Sequence, residues 1–343
     1  MSFSRSKRES IKAYILEKIA SNDHNISQKT TDTFQITETT YYRYLHDLEK
    51  QGIIFKSDGS RKYRLTTKTF SKIYDLQSEG LRYDDKIYLE DIFPIIDDLP
   101  QNVIHMWDYC FTEMMNNVID HSNAEHVAVS VFRDYIQTTI IISDDGIGIF
   151  NKIQKYFGYS SLNDVIMELF KGKLTTDHNN HSGEGIFFTS KIADLFAAIS
   201  DGKVFSHSNY TEVLKDVDEL PAANNNILPV GTTILMRISN HSQKDPAEIF
   251  YTYSDVDGGF YKTSIPLKNI YDRYPVSRSQ AKRLVHRFED FKEIDLDFEG
   301  ISDIGQGFAH QLFHIYHRDH PEITLNAVNT NEKISRMIYH VTH

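Results

Sequence analysis

Trp107-Asp-Tyr-Cys-Phe-Thr-Glu113-Met-Met-Asn-Asn117-Val-Ile-Asp-His121 is the stretch whose reading decides the fold. At about 100° per residue, Trp107, Cys110, Phe111, Met114 and Val118 share one side. Glu113, Asn117, Asp120 and His121 form a stripe beside them. The spacing predicts a helix with one face in a core and a carboxylate and a carboxamide at its margin. Such a carboxylate can take a proton from water or a hydroxyl. An Asn oxygen one turn on can complete the oxygen shell of Mg²⁺, whose other ligands are typically phosphates and waters. A solvated amphipathic helix would carry the same pattern, so the neighbouring segments have to decide.

Downstream, His126–Arg133 and Ile136–Ser143 alternate like a hairpin turning at Asp134-Tyr135. The second strand runs into Asp144-Asp145-Gly146-Ile147-Gly148. A buried carboxylate at a strand end can accept from an amine such as that of adenine, and glycines after it let backbone approach a flat ring or a phosphate. The stretch 150–182 reads as a long loop of lid length, carrying Lys171 and Lys173. It leads into Ser182-Gly183-Glu184-Gly185 and a predicted helix over 186–198, where glycines and the helix dipole favour an anion. Val230–Arg237, with Gly231-Thr232, alternates as a strand able to return beside Asp144. Each of these signals is weak alone, since tight turns carry the same residues. Neither a Gly-x-x-x-x-Gly-Lys-Ser/Thr loop nor a Gly-x-Gly-x-x-Gly after a strand is present, so any nucleotide is bound by another plan.

Upstream, residues 8–21, 27–34 and 38–51 read as three helices, followed by a hairpin of Ile53–Lys56 and Arg61–Leu65 about Asp58-Gly59. This arrangement looks like a winged helix-turn-helix. Thr39, Thr40, Tyr42, Arg43 and His46 fall on the outer face of the third helix, suited to a major groove, and Arg61 and Lys62 in the wing are suited to phosphate. Residues 1–70 hold 13 Lys+Arg against 8 Asp+Glu, a net of +5, on a chain whose total is −11. A basic module on an acidic body suggests a polyanion partner, double-stranded DNA, at one end only. A protein-contact surface would read similarly. Residues 67–104 read as transitional short elements.

With 343 residues, 40% of them hydrophobic and 25% charged, two or three soluble domains are expected. The one cysteine, Cys110, excludes an intrachain disulfide and falls on the apolar face of its helix. The opening residues lack the apolar segment of a signal peptide, and no apolar run approaches membrane-spanning length. A cytoplasmic location without membrane contact is the expectation.

Glu113-x-x-x-Asn117-x-x-Asp120, Asp144-x-Gly146-x-Gly148, Gly183-x-Gly185 before a helix, and Gly231-Thr232 stand in a fixed order over about 130 residues. Together they resemble the GHKL ATPase superfamily of gyrase, heat-shock chaperones, histidine kinases and MutL. The resemblance implies a Bergerat α/β sandwich binding ATP and Mg²⁺. It implies Asn117 on Mg²⁺, Asp144 on the adenine amine with Thr232 in support, and Gly146 and Gly148 along the base. Gly183 and Gly185 would face the phosphates, Asp120 would belong to the nucleotide site, and Lys171 and Lys173 are candidate γ-phosphate contacts. Glu113 as general base, and the tail Asn117-Val-Ile-Asp-His121, are most similar to anti-sigma-factor serine kinases. No phosphoacceptor-histidine hairpin precedes the domain.

The C-terminal segment reads as helix 276–288, strand 293–298, helix 304–317, strand 323–328 and helix 332–340. Its run Ile294 to Phe308 is similar to STAS domains, closest to an STAS-like domain of unknown function. The usual acceptor Ser is replaced by Ile304-Gly305-Gln306-Gly307. His310, His314 and His317 meet metal spacing, but with Phe313 and Tyr316 between them packing is the favoured reading.

The expected fold class is therefore mixed: a winged helix over 1–68, a Bergerat sandwich over 69–245 and an STAS-like α/β domain over 246–343. Three functions stay open. They are a nucleotide-gated transcription regulator, a protein kinase acting on Ser or less readily His, and a nucleotide-responsive scaffold with negligible turnover. In the first, Mg-ATP would close the 150–182 lid and change how the C-terminal domain docks. A protein partner at the STAS-like domain and a homodimer are expected by analogy only.

Overall fold

The computed structural model describes residues 3–56, 62–77, 84–174, 183–207, 227–228, 230–255, 259–271 and 273–343. Three sheets organise them. The first belongs to the N-terminal unit, α1 (Arg5–Ala20), α2 (Ile26–Phe34), α3 (Glu38–Lys50), β1 (Ile54–Lys56) and β2 (Tyr63–Leu65). Ser4 caps α1 by accepting from Lys7 N, and Thr37 caps α3 by accepting from Thr40 N. Ile11, Ile15, Leu16 and Ile19 of α1 pack on Tyr41, Tyr44, Leu45 and Leu48 of α3. β1 and β2 are antiparallel, Ile54 opposite Leu65. Of the expected wing, Arg61 and the turn before it lie outside the described residues.

The second sheet has six strands in the order β3-β4-β5-β8-β6-β7, every pair antiparallel. They are β3 (Lys68–Asp75), β4 (His126–Arg133), β5 (Gln137–Asp144), β6 (Leu195–Ser200), β7 (Lys203–Ser206) and β8 (Thr232–Ser239). The central helix, Gln101–His121, lies on one face and buries Trp107, Cys110, Phe111, Met114, Met115 and Val118. Burial pushes the Cys110 thiol well above the usual range. The strand β3 falls within the stretch read as transitional. As an edge strand it buries only Tyr74 fully, so it lacks the alternation by which strands are recognised. Ahead of the central helix, a helical stretch from Asp84 to Ile96 widens over Tyr88–Ile92, before Pro94: Phe93 N donates to Tyr88 O, consistent with the missing N–H of proline.

Two expectations for this unit are corrected. Of the stretch 150–182, read as a loop, the described part to 174 is largely helical: helices Ile149–Phe157 and Leu162–Lys171 bury Phe150, Ile153, Val165, Leu169 and Phe170, and 175–182 lie outside the described residues. Gly158 in the left-handed region stops the first, and the Ser161 hydroxyl, accepting from Asp164 N, starts the second. The helix expected over 186–198 spans Gly185–Ile192. Leu195 and Phe196 leave it because their backbone pairs with Arg237 and Met236 of β8.

The third sheet is parallel, order β11-β10-β9, from β9 (Lys262–Pro266), β10 (Glu293–Asp297) and β11 (Thr324–Val328). The strand β9 had no counterpart in the sequence reading. Helices Arg278–Leu284 and Glu332–Thr342 cover Ile294 and Leu296, with a helix between them that runs Gln306–Ala309, His310–Tyr316 and His317–Asp319 and is π-helical in its middle part. His310 and His314 stack at 4.8 Å, and no metal-holding group occurs among the described residues. No helix there is long and apolar enough to cross a membrane.

The second and third sheets share one continuous apolar core. Phe260 packs on Phe187, Phe188 and Phe291 at centroid distances of 4.6, 5.3 and 5.5 Å. Beside it, Glu168 and Lys171 form a fully buried pair at 2.6 Å. Glu168 also meets His286 at 3.2 Å and Arg287 at 3.4 Å, and Lys171 Nζ donates to His286 O at 2.6 Å. Removing one member strands its partner, so Glu168→Ala should cost about 3–5 kcal/mol, and Glu168→Leu with Lys171→Met less than that. Urea unfolding followed by Trp107 fluorescence reads both; a double variant as unstable as the single would discount the ion pair.

Candidate functional site

A cavity of about 240 Å³ opens between the central helix, the end of β5, the start of β8 and the helices on either side of 175–182. Glu113, Asn117 and His121 line it from the central helix, Asp144 and Gly148 from the β5 end, Gly183 and Gly185 from the glycine turn, and Thr232 from β8. These groups lie far apart in the chain. The β5–β8 pairing, with Ser143 opposite Thr233, brings Asp144 beside Thr232.

Asp144 is 3% exposed. Its Oδ1 accepts from Gly146 N at 2.8 Å and from Thr232 N at 3.2 Å. Burial raises this carboxyl above the usual carboxylate range, and the two N–H bonds oppose that rise. Among the described residues no hydrogen-bond donor is paired with Oδ2, so the carboxylate can still accept. Thr232 supports Asp144 through its backbone; its hydroxyl accepts from Ile149 N at 3.0 Å and so caps the next helix.

The glycines are used sterically. A side chain at Gly185 would overlap Glu113 Oε2, and one at Gly231, with φ at +90°, would overlap Asp144 O. The glycine turn therefore brings the N-terminus of helix Gly185–Ile192 against the Glu113 carboxylate. The Leu174 N–H bond to Gly183 O, 3.2 Å, ties the two ends of the intervening segment together.

Some expected site residues fall elsewhere. Asp120 is exposed and does not line the cavity. Gly146 is one layer back, where a side chain would overlap Ser122 O. Lys171 and Lys173 belong to the contact with the third sheet: Lys171 is the buried partner of Glu168, and Lys173 Nζ donates to Asp290 O at 2.8 Å. Lys173 also lies 5.0 Å from the Phe291 ring. Burial lowers both lysines from the usual range.

Other cavity residues went unread. Lys152 lines the cavity and donates to His121 O at 2.7 Å. Asp201 accepts from Asn151 N at 2.9 Å and from its side-chain amide, securing the helix that carries Lys152. The helical spacing of Ile149, Lys152 and Ile153 after Gly148 is the signal the sequence carries for it.

On the N-terminal unit, Thr39, Tyr42, Arg43 and His46 are exposed on α3, and Lys62 is exposed beside β2. Thr40 is half-buried, its hydroxyl 3.1 Å from that of Thr37 in the helix cap. Arg43 lies 5.4 Å from the Tyr44 ring. In the C-terminal unit, Gly305 caps helix Gln306–Ala309, and any side chain there would overlap Val276 O. A serine could not stand at that turn without moving backbone.

Residues 280–335 match the model of the STAS-like domain of unknown function, DUF4325, which bears out the C-terminal expectation. The chain is also similar to the sensor histidine kinase YvfT of Bacillus subtilis (strain 168), 33% identical over 91 residues. That similarity covers 26% of this chain and 23% of the relative, so the chain spans under a quarter of the relative's length.

A raised folded pKa means the folded chain holds the Asp144 proton more tightly than the unfolded chain does. The group therefore favours folding at low pH and disfavours it as pH rises through the raised value. Asp144→Asn keeps the Oδ1 acceptor and removes the charge. It should melt at or above the wild-type temperature at neutral pH, with the advantage vanishing in acid. A variant that melts lower at neutral pH would make the carboxylate a structural requirement.

Proposed function

We propose that the middle unit is a GHKL-type module that binds ATP with Mg²⁺ in this cavity. On this reading the chain is a nucleotide-responsive regulator whose N-terminal unit is a winged helix on double-stranded DNA. The observation that carries it is the convergence on one cavity of Glu113, Asn117, Asp144, Gly183, Gly185 and Thr232, residues that the ordered motifs single out. A buried carboxylate at one end suits an adenine amine. A glycine turn entering a helix N-terminus at the other suits phosphate. The absence of a side chain at Gly185 lets that helix N-terminus approach closely, since the place of a Cβ is taken by Glu113 Oε2.

In this reading Asn117 holds Mg²⁺, which neutralises phosphate charge and orients the terminal group when bound. Glu113 takes the proton from the attacking water or hydroxyl. The route to the third sheet is short. Leu169, Gly172 and Leu174 line the cavity, while Lys171 and Lys173 between them bond to His286 O and Asp290 O. A change in this wall is thereby felt by the STAS-like domain, a protein-binding module in this proposal. The similarity to a sensor histidine kinase favours a second reading, transfer of the terminal phosphoryl group to a protein.

Incubation with Mg²⁺ and γ-labelled ATP separates the readings. Free labelled phosphate indicates an ATPase, label on protein a kinase, and bound but unconsumed ATP a switch without turnover. Glu113→Ala should lower either turnover by about 10²- to 10⁴-fold while ATP still binds; unchanged turnover would remove Glu113 from the chemistry. For the N-terminal unit, Arg43→Ala should weaken binding to duplex DNA and flatten its dependence on salt. A mobility-shift titration at two salt concentrations measures this, and indifference to the substitution would leave α3 as a protein-contact surface.

A further inference from the structure

Phosphates in this cavity would face an acidic wall. Glu113, Asp144 and Glu184 line it. The lysines expected to answer that charge are engaged elsewhere, Lys171 with Glu168 and His286 O and Lys173 with Asp290 O. Residues 174–185, of which 175–182 lie outside the described residues, include no lysine or arginine in their sequence. Among the described residues, Lys152 is the only lysine or arginine that lines the cavity.

We propose that Lys152 is the side chain that contacts the phosphates of a nucleotide bound in this cavity, an inference resting on the nucleotide reading above. Its helix presents Ile149, Lys152 and Ile153 to the cavity, at i, i+3 and i+4. Three contacts hold that helix: Gly148 with φ at +80° turns the chain into it, Thr232 Oγ1 caps Ile149 N, and Asp201 takes the amide and side chain of Asn151. The Lys152 ammonium donates to His121 O, one helical turn beyond Asn117. The cation is thus held at the same end of the central helix as the Asn expected to ligate Mg²⁺. A lysine that only complemented the negative end of that helix would affect stability and treat all ligands alike.

The test uses the full chain with adenosine, ADP and ATP, each with Mg²⁺, in calorimetric titrations. Lys152→Met should weaken ATP and ADP by about 10-fold or more, as loss of a charge-assisted hydrogen bond does, and leave adenosine within about 2-fold. Lys152→Arg should restore most of the affinity. Lys152→Gln keeps a donor for His121 O without the charge and serves if the methionine variant fails to fold; it should show the same split between phosphorylated and unphosphorylated ligands. ATP affinity unchanged in the variants, or adenosine weakened as much as ATP, would overturn the assignment of Lys152 alone. A wild-type chain that binds none of the three would overturn the nucleotide reading, and this inference with it.

Discussion

The antiparallel pairing of β5 with β8 is the constraint on which the cavity depends. Ser143 stands opposite Thr233, which sets the Thr232 N–H on the Asp144 carboxylate. Slipping this register by one residue would turn each side chain to the other face of the sheet. The apolar residues Ile140, Ile142, Ile234 and Met236 would leave the helix-covered core. Register and site are therefore specified by the same burial, and the site inherits the precision of the core.

Around that pairing, function conflicts locally with stability. A buried carboxylate whose charge is disfavoured by desolvation and a glycine at φ of +90° are each poor choices for a merely stable fold. They sit together at the Asp144 side of the cavity. The compensation lies nearby, in the apolar face of the central helix and in the aromatic cluster around Phe260.

That cluster also makes the third sheet part of the cavity's support. A side chain at Gly172 would press on Phe260, and Phe187 both lines the cavity and packs on Phe260. The segment from Glu168 to Leu174 is a single wall with a cavity-facing side and a side committed to the C-terminal unit. Coupling between the two requires no long path, because packed interiors transmit small displacements directly.

The sequence by itself determined the strongly patterned elements: α1 to α3, the central helix, the β4–β5 hairpin, and the alternation that marks the C-terminal STAS-like unit. It also singled out Glu113, Asn117, Asp144, Gly183, Gly185 and Thr232, because carboxylates, carboxamides and glycines at set spacings stand out against ordinary patterns. Only the tertiary structure decided the rest. The strand β3 is an exposed edge, the helices in 150–182 are short and bury their apolar residues against distant partners, and β6 takes its conformation from β8. Lys171 and Lys173 went to the C-terminal unit and Lys152 to the cavity. A lysine's sequence neighbourhood says that it is charged, whereas its role depends on which carbonyl or carboxylate folding places within reach.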